Sequence, residues 1–259
     1  EMIKKAEGFD QPWYVQYYRW AEHIVSLDLG RSLITGKAVT QEITDRLPAT
    51  LSLATTSLAL SLSISLGLGT WCALRHRTWK DRMGLTLILL AKSVPSFWLG
   101  LILILVFSVW LDLLPSYGAG GLEHIVLPSI ALALGMSAIT TRLVRSSLLE
   151  VLNEDYVLMA RANGLDERQV LRHHALRNAM LPVLTFAGLQ MGFLIGGAMV
   201  VETVFSWPGV GKLLVDSIML KDFSMVQGCV LVIAVLFCLI TLLIDVLYAV
   251  IDPRVRYEG

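Results

Sequence analysis

Long apolar runs separated by short polar connectors set the pattern of this chain. A bilayer core takes about 20 mostly apolar residues per helix, and five stretches are read as spans: Leu47–Leu74, Met83–Leu111, His124–Ile139, Ala179–Val201 and Val226–Ile251. The second is interrupted by Lys92 and Pro95, and the third is short and holds Pro128. Between the third and fourth, the polar spell is far longer than an idle connector needs. There Val144, Leu148, Leu152, Tyr156 and Met159 keep the three- and four-residue steps of one helical face. Gly164 stands where a helix end takes a left-handed residue. Asp166, followed three residues on by Gln169, has the form of a capping box. The pattern predicts helix, glycine turn and a second helix running to Leu181-Pro182, where the fourth span begins.

Composition places this pattern in a membrane. The chain is 55% hydrophobic and 16% charged, against about 25% charged in soluble domains. Net charge is zero, so nothing in the balance points to nucleic acid. The charges that exist are sorted by connector. Arg75, Arg77, Lys80 and Arg82 follow the first span. Arg142, Arg145, Arg161, Arg168, Arg172 and Arg177 follow the third, and Arg254 and Arg256 close the chain. "DLLPSYGAGGLE", between the second and third spans, has no Lys or Arg. The positive-inside rule therefore places the basic connectors and the carboxyl end in the cytoplasm. Residues 1–46 then form an extracytoplasmic arm, and 47–259 a transmembrane domain with a cytoplasmic loop at 142–178. With no earlier span to export the arm, the expectation is a missing N-terminal segment, one more transmembrane helix. The alternative keeps 1–46 as a cytoplasmic or interfacial arm, with one span misassigned. Trp13, Tyr14, Tyr17, Tyr18 and Trp20 suit either the headgroup boundary or plain packing.

Several residues inside the spans are candidates for function. Gly188, Gly192 and Gly196 share one helical face, where close helix packing is expected ahead of a role in lining a path. Lys92 and Pro95 mark either a kinked, path-lining helix or a lysine snorkelling to the headgroups. Asp245 lies near the end of the last span and divides evenly between structure and function. Trp207-Pro208-Gly209 is a turn signal, with a short helix expected over Val210–Met219. The "GVGK" within it fails as a phosphate loop, because Ser206 and Leu213 occupy the positions that need Gly and Ser or Thr. Cys72, Cys229 and Cys238 are far apart in apolar runs and form no disulfide framework. The histidines form no metal pattern, and no catalytic constellation appears.

The segment "EDYVLMARANGLDERQVLRHHALRNAMLPV" resembles the cytoplasmic EAA-type loop of binding-protein-dependent ABC importers, in particular the B-type subunit of the peptide/nickel permease family. "RLPATLSLA" at 46–54, "SVPSFWLG" at 93–100, "HIVLPSIALAL" at 124–134, "VVETVFSWPGVGKLLVDSI" at 200–218 and "DPRVRY" at 252–257 carry the likeness along the chain in order. Leu158-Met159-Ala160 stands where the general pattern has Glu-Ala-Ala, and the branch's "ARAxGL" form fits instead. The resemblance implies an all-α type I importer permease fold and half of a translocation pathway for short peptides or nickel and metal chelates. It also implies a second permease subunit, as a heterodimer, and an external solute-binding protein. Two cytoplasmic ATPases would bind ATP and Mg, and this chain would hold no cofactor. Ala160, Arg161, Ala162, Gly164, Leu165 and Asp166 would form the ATPase-coupling segment, in a bacterial inner membrane whose lipids meet the arginines. The competing reading is a secondary transporter or channel working without an ATPase. Such proteins usually show internal repeats or several buried charges, and only Lys92 and Asp245 stand out here.

Overall fold

The computed structural model describes residues 11–26 and 28–251; at 19, 20, 23–25, 245 and 247–251 only the backbone is described. Helices make up nearly all of it, with one isolated bridge between Arg31 and Ala38. We number them α1 (Trp13–Val25), α2 (Val39–Leu74), α3 (Trp79–Ser93) and α4 (Ser96–Leu103, continuing as a π-helical stretch Ile104–Trp110). Then come α5 (Leu122–Leu152), α6 (Asp155–Ala162), α7 (Glu167–Gly197), α8 (Met199–Val204), α9 (Val210–Leu220) and α10 (Phe223–Ile251). Among the described residues four helices (α2, α5, α7 and α10) are long and apolar enough to cross a membrane, or five if α3 and α4 count as one broken span.

Four expectations change in detail. The first span begins at Val39, eight residues before Leu47, because Val39 and Ile43 are buried against Leu213, Leu214 and Met225. The helix therefore starts inside the expected arm. The second span is two helices bent by 96°. Val94 takes the extended backbone that a following proline demands. The third is 31 residues long, since its two arginines lie along a helix that continues beyond the apolar stretch. The fourth does not start at Pro182. It is continuous with the basic helix before it, and a π-helical stretch at Val170–Ala175 precedes the proline. In α1, Trp13, Tyr14, Tyr17 and Tyr18 are all exposed, and the Trp20 side chain lies outside the described residues.

Small residues set how closely the helices approach. On α2, Ser57, Ser61, Ser65 and Gly69 form a buried four-residue repeat facing α5. A Cβ at Gly69 would lie 2.8 Å from Val144. Thr56 and Ser129 hydroxyls meet at 2.9 Å, and the Ser65 hydroxyl donates to the Ser137 carbonyl at 3.2 Å. From α7, the Gln190 amide donates to the Thr140 hydroxyl at 2.6 Å. The apolar core lies where α2, α4, α5, α7 and α8 meet, around Leu53, Leu127, Leu194 and Phe205. α10 runs antiparallel to α7, so its carboxyl end approaches the end of the bundle that carries the arginine connectors, called here the basic end.

At the far end one carboxylate organises the loop. Glu202 is fully buried just beyond α7. It accepts the Thr50 hydroxyl at 2.8 Å and the Lys212 backbone N–H at 2.9 Å, with the Gly211 N–H as a further donor. Burial pushes this carboxyl up, and the three donors pull it back. The Thr50 hydroxyl in turn accepts the Val210 N–H at 2.8 Å, and the Trp207 indole donates to the Ala49 carbonyl at 2.8 Å. The "GVGK" turn is thus an anion site at a helix N-terminus, filled by the chain's own glutamate. A Cβ at Gly209 would overlap that carboxylate. Asp222 does similar work before α10, accepting the Ser32 hydroxyl and the Leu33 N–H.

Glu202→Ala is expected to lower the unfolding midpoint of the detergent-solubilised protein, since each buried donor left unpaired costs about 1–3 kcal/mol. Scanning fluorimetry beside Glu202→Asp checks this. An unchanged midpoint would mean that the carboxylate anchors nothing.

Candidate functional site

The basic end presents a compact helical hook between α5 and α7. The chain leaves α5 at Asn153, whose side-chain amide donates to the Leu149 carbonyl at 2.8 Å. α6 then starts at Asp155, so the expected single apolar face is broken between Leu152 and Tyr156. Val144 and Leu148 are buried in the bundle, while Tyr156 and Met159 are exposed on the new helix. The local cause is "NED", which favours caps over helix interior.

Gly164 ends α6 with φ +80°, a left-handed conformation that costs a side-chain residue about 1–2 kcal/mol. Its N–H donates to the Arg161 carbonyl at 2.9 Å, and the Leu165 N–H donates to the Ala160 carbonyl at 3.3 Å. Asp166 caps the next helix by accepting the Arg168 N–H at 3.3 Å. The bond goes to the second helical residue rather than to Gln169, and among the described residues Gln169 returns none, so Asp166 acts as a plain cap without the capping box. Arg161 braces the turn: its Nε donates to Glu167 Oε1 at 2.8 Å and its Nη1 to the Leu152 carbonyl at 3.4 Å. Beneath it, Val157 and Ala160 bury themselves against Val170. The Asn178 amide donates to the Tyr156 hydroxyl at 2.7 Å. α6 is thereby fixed to the head of α7. Its outward face exposes Leu158, Met159 and Ala162, and Leu165 is exposed just after the Gly164 turn.

Of the sequence candidates, Arg161, Ala162, Gly164, Leu165 and Asp166 come together at this turn, while Ala160 points inward. The three glycines of α7 face α10. A Cβ would lie 2.7 Å from Ile244 at Gly188, 3.2 Å from Phe237 at Gly192 and 3.9 Å from Ile233 at Gly196. Lys92 and Pro95 are exposed at the break between α3 and α4, away from the hook. The Asp245 side chain lies outside the described residues. No group of three His, Cys, Asp or Glu among the described residues could hold a metal.

The model of the family described as "Binding-protein-dependent transport system inner membrane component" matches residues 65–257. The chain belongs to this family. The permease is 43% identical to the glutathione transport system permease protein GsiC of Salmonella paratyphi A, over 99% of this chain and 84% of that protein. It is 42% identical to GsiC of Escherichia coli K12, over 100% and 84%. A chain of the MetNI methionine ABC transporter in an inward-facing form superposes with TM-score 0.70 at 18% identity, covering 82% of this chain and 97% of that one. At that identity the likeness speaks for the fold, which is that of the type I ABC importer permeases. The protein is the membrane subunit of an ABC importer, a multi-pass inner-membrane permease.

Sequence reasoning overlooked Asp81 and Glu202. Asp81 is the acid within the basic connector that holds Arg75, Arg77, Lys80 and Arg82, and Glu202 lies just ahead of the turn that carries the failed "GVGK". A lone acid inside a basic or apolar stretch was the available signal.

The glycine face gives a graded expectation. Gly188→Ala pushes α7 off Ile244, an overpacking worth about 1–3 kcal/mol. Gly196→Ala has room and gains up to about 1 kcal/mol of helix propensity. Unfolding midpoints in one detergent should fall for the first and hold or rise for the second; equal effects would contradict the packing role.

Proposed function

We propose that the basic end faces the cytoplasm and that α6 with the Gly164 turn is the handle by which an ATPase subunit moves the membrane helices. The observation that carries this reading is the rigid join. α6 is held to α7 by the Arg161–Glu167 pair, the Tyr156–Asn178 bond and the Val157–Ala160–Val170 cluster. α7 then runs unbroken for 31 residues, about 45 Å at 1.5 Å per residue. A push at the tip therefore reaches the far end without passing through a loop. Leu158, Met159, Ala162 and Leu165 form the docking face in this reading. Gly164 and Asp166 shape the turn, Arg161 braces it, and Ala160 seats it. Leu158-Met159-Ala160 takes the place of the EAA triplet.

The rest of the assembly follows from the family. Two ATPase subunits bind ATP and Mg, a second permease subunit completes the pathway, and an external binding protein delivers the solute. Residues 47–259, together with the start of α2, form the membrane domain, and its arginines meet anionic headgroups. The cargo we favour is glutathione or a short peptide of similar size. This rests on the naming of the GsiC relatives, which supports the peptide side of the expectation over nickel.

The test is ATP-driven uptake of labelled glutathione into liposomes holding the full complex. Gly164→Pro cannot take a positive φ, so uptake is expected to fall by about tenfold or more, the equivalent of about 1.4 kcal/mol. Co-purification of the subunits should persist. Uptake at the parent rate in this variant would defeat the handle. Uptake without ATPase subunits would favour a secondary transporter, and transport of other solutes alone would displace glutathione.

A further inference from the structure

A buried ion pair joins α3 to α5 at the basic end. Asp81, in the first turn of α3, is 3% exposed. Its backbone N–H donates to the Thr78 hydroxyl at 3.4 Å, and the Arg77 N–H donates to its Oδ2 at 3.3 Å. From α5, Arg145 donates Nε to Oδ1 and Nη2 to Oδ2, each at 2.7 Å. His76 Nδ1 lies 2.9 Å from the same Nη2. Two parallel charge-assisted bonds fix the angle between the groups as well as their distance.

The position of this fork gives it meaning. Around Arg145, α5 touches the neighbouring helices through apolar or small groups. Val144 meets Gly69 of α2, and Leu148 packs with Ala73 of α2 and with Ala175 and Ala179 of α7. The hydrogen bonds that join α5 to α2 and α7 lie further along, at Ser129, Ser137 and Thr140. The contact with α3 is different, because a fork on a buried carboxylate resists both sliding and rotation. α3 leads through the 96° break into α4, where Gly100 lies against the Phe205 ring, beside the loop anchored by Glu202. The α3–α4 unit thus joins Arg145 at the basic end to the far-end loop. As a plain staple the pair is a poor choice, since apolar residues of similar volume often hold a buried site as well or better. What the fork adds is direction.

We propose that the Asp81–Arg145 fork is the joint that makes the α3–α4 unit follow α5 when the coupling segment moves. Both are positioning residues for transport, and the proposal rests on the coupling reading above.

Spin-label distances in the complete reconstituted transporter test it. Cys238→Ser removes the exposed thiol, while Cys72 and Cys229 are buried. One label pair, Asn163 with Met219, follows the coupling turn against the far end. A second, Trp79 with Met219, follows the start of α3. In the parent both distances should change when ATP is added. Asp81→Asn and Arg145→Lys should keep the first change, lose the second, and cut glutathione uptake by about tenfold. Arg145→Lys keeps the charge and the aliphatic stem, so it assembles where a truncation would not. The joint is overturned if α3 still follows in both variants, or if uptake stays at the parent rate. It is overturned alone if Asn163 moves in the parent and Trp79 does not. If Asn163 does not move in the parent, the coupling reading has failed and the joint falls with it.

Discussion

Apolar helices in an apolar solvent have no hydrophobic reason to associate with one another. Their fit and a few polar contacts must do that work. The permease meets this constraint in two ways. Seams of small residues bring backbones close: Ser57, Ser61, Ser65 and Gly69 between α2 and α5, and Gly188 and Gly192 between α7 and α10. Buried carboxylates then tie further segments to these helices. Glu202 binds Thr50 and the head of α9, Asp222 binds Ser32, and Asp81 binds Arg145. Each carboxylate joins segments remote in sequence, and each has several donors, so no charge is buried unpaired.

This arrangement divides the molecule into a far end held by anchors and a basic end that carries an exposed helical hook. The far-end loop is enclosed by hydrogen bonds on several sides and packs Phe205 and Trp207 into the core. At the basic end α6 keeps only two residues buried, Val157 and Ala160. Its remaining apolar side chains face outward. In the proposed coupling, a hook with a buried heel and an exposed apolar tip, fused to a continuous helix, would pass displacement on with little loss.

Much of this was legible in the sequence, and the misses share a cause. The spans, the Gly164 turn, the Asp166 cap and the helix after Trp207-Pro208-Gly209 all follow from local signals that the fold leaves in place. The start of α2 at Val39 was hidden because Thr40–Asp45 read as polar, and burial of Val39 and Ile43 is a tertiary fact. Pro95 signalled a kink, but the 96° bend and the approach of Gly100 to Phe205 are tertiary facts. Pro182 looked like a boundary, yet α7 carries it within the helix. The partners of Asp81 and Glu202 lie 64 and 152 residues away, beyond any local pattern. Ala160 sits in the middle of the family motif, so its inward direction became clear only from Val170.

Site-directed cross-linking from the tip of the hook tests the central claim most directly. In the assembled complex, a short thiol cross-linker at Met159→Cys should capture an ATPase subunit, and the same probe at Trp79→Cys on the neighbouring connector should capture far less. Both positions are exposed, so accessibility does not decide the outcome. Efficient capture from Trp79 with none from Met159 would contradict the account.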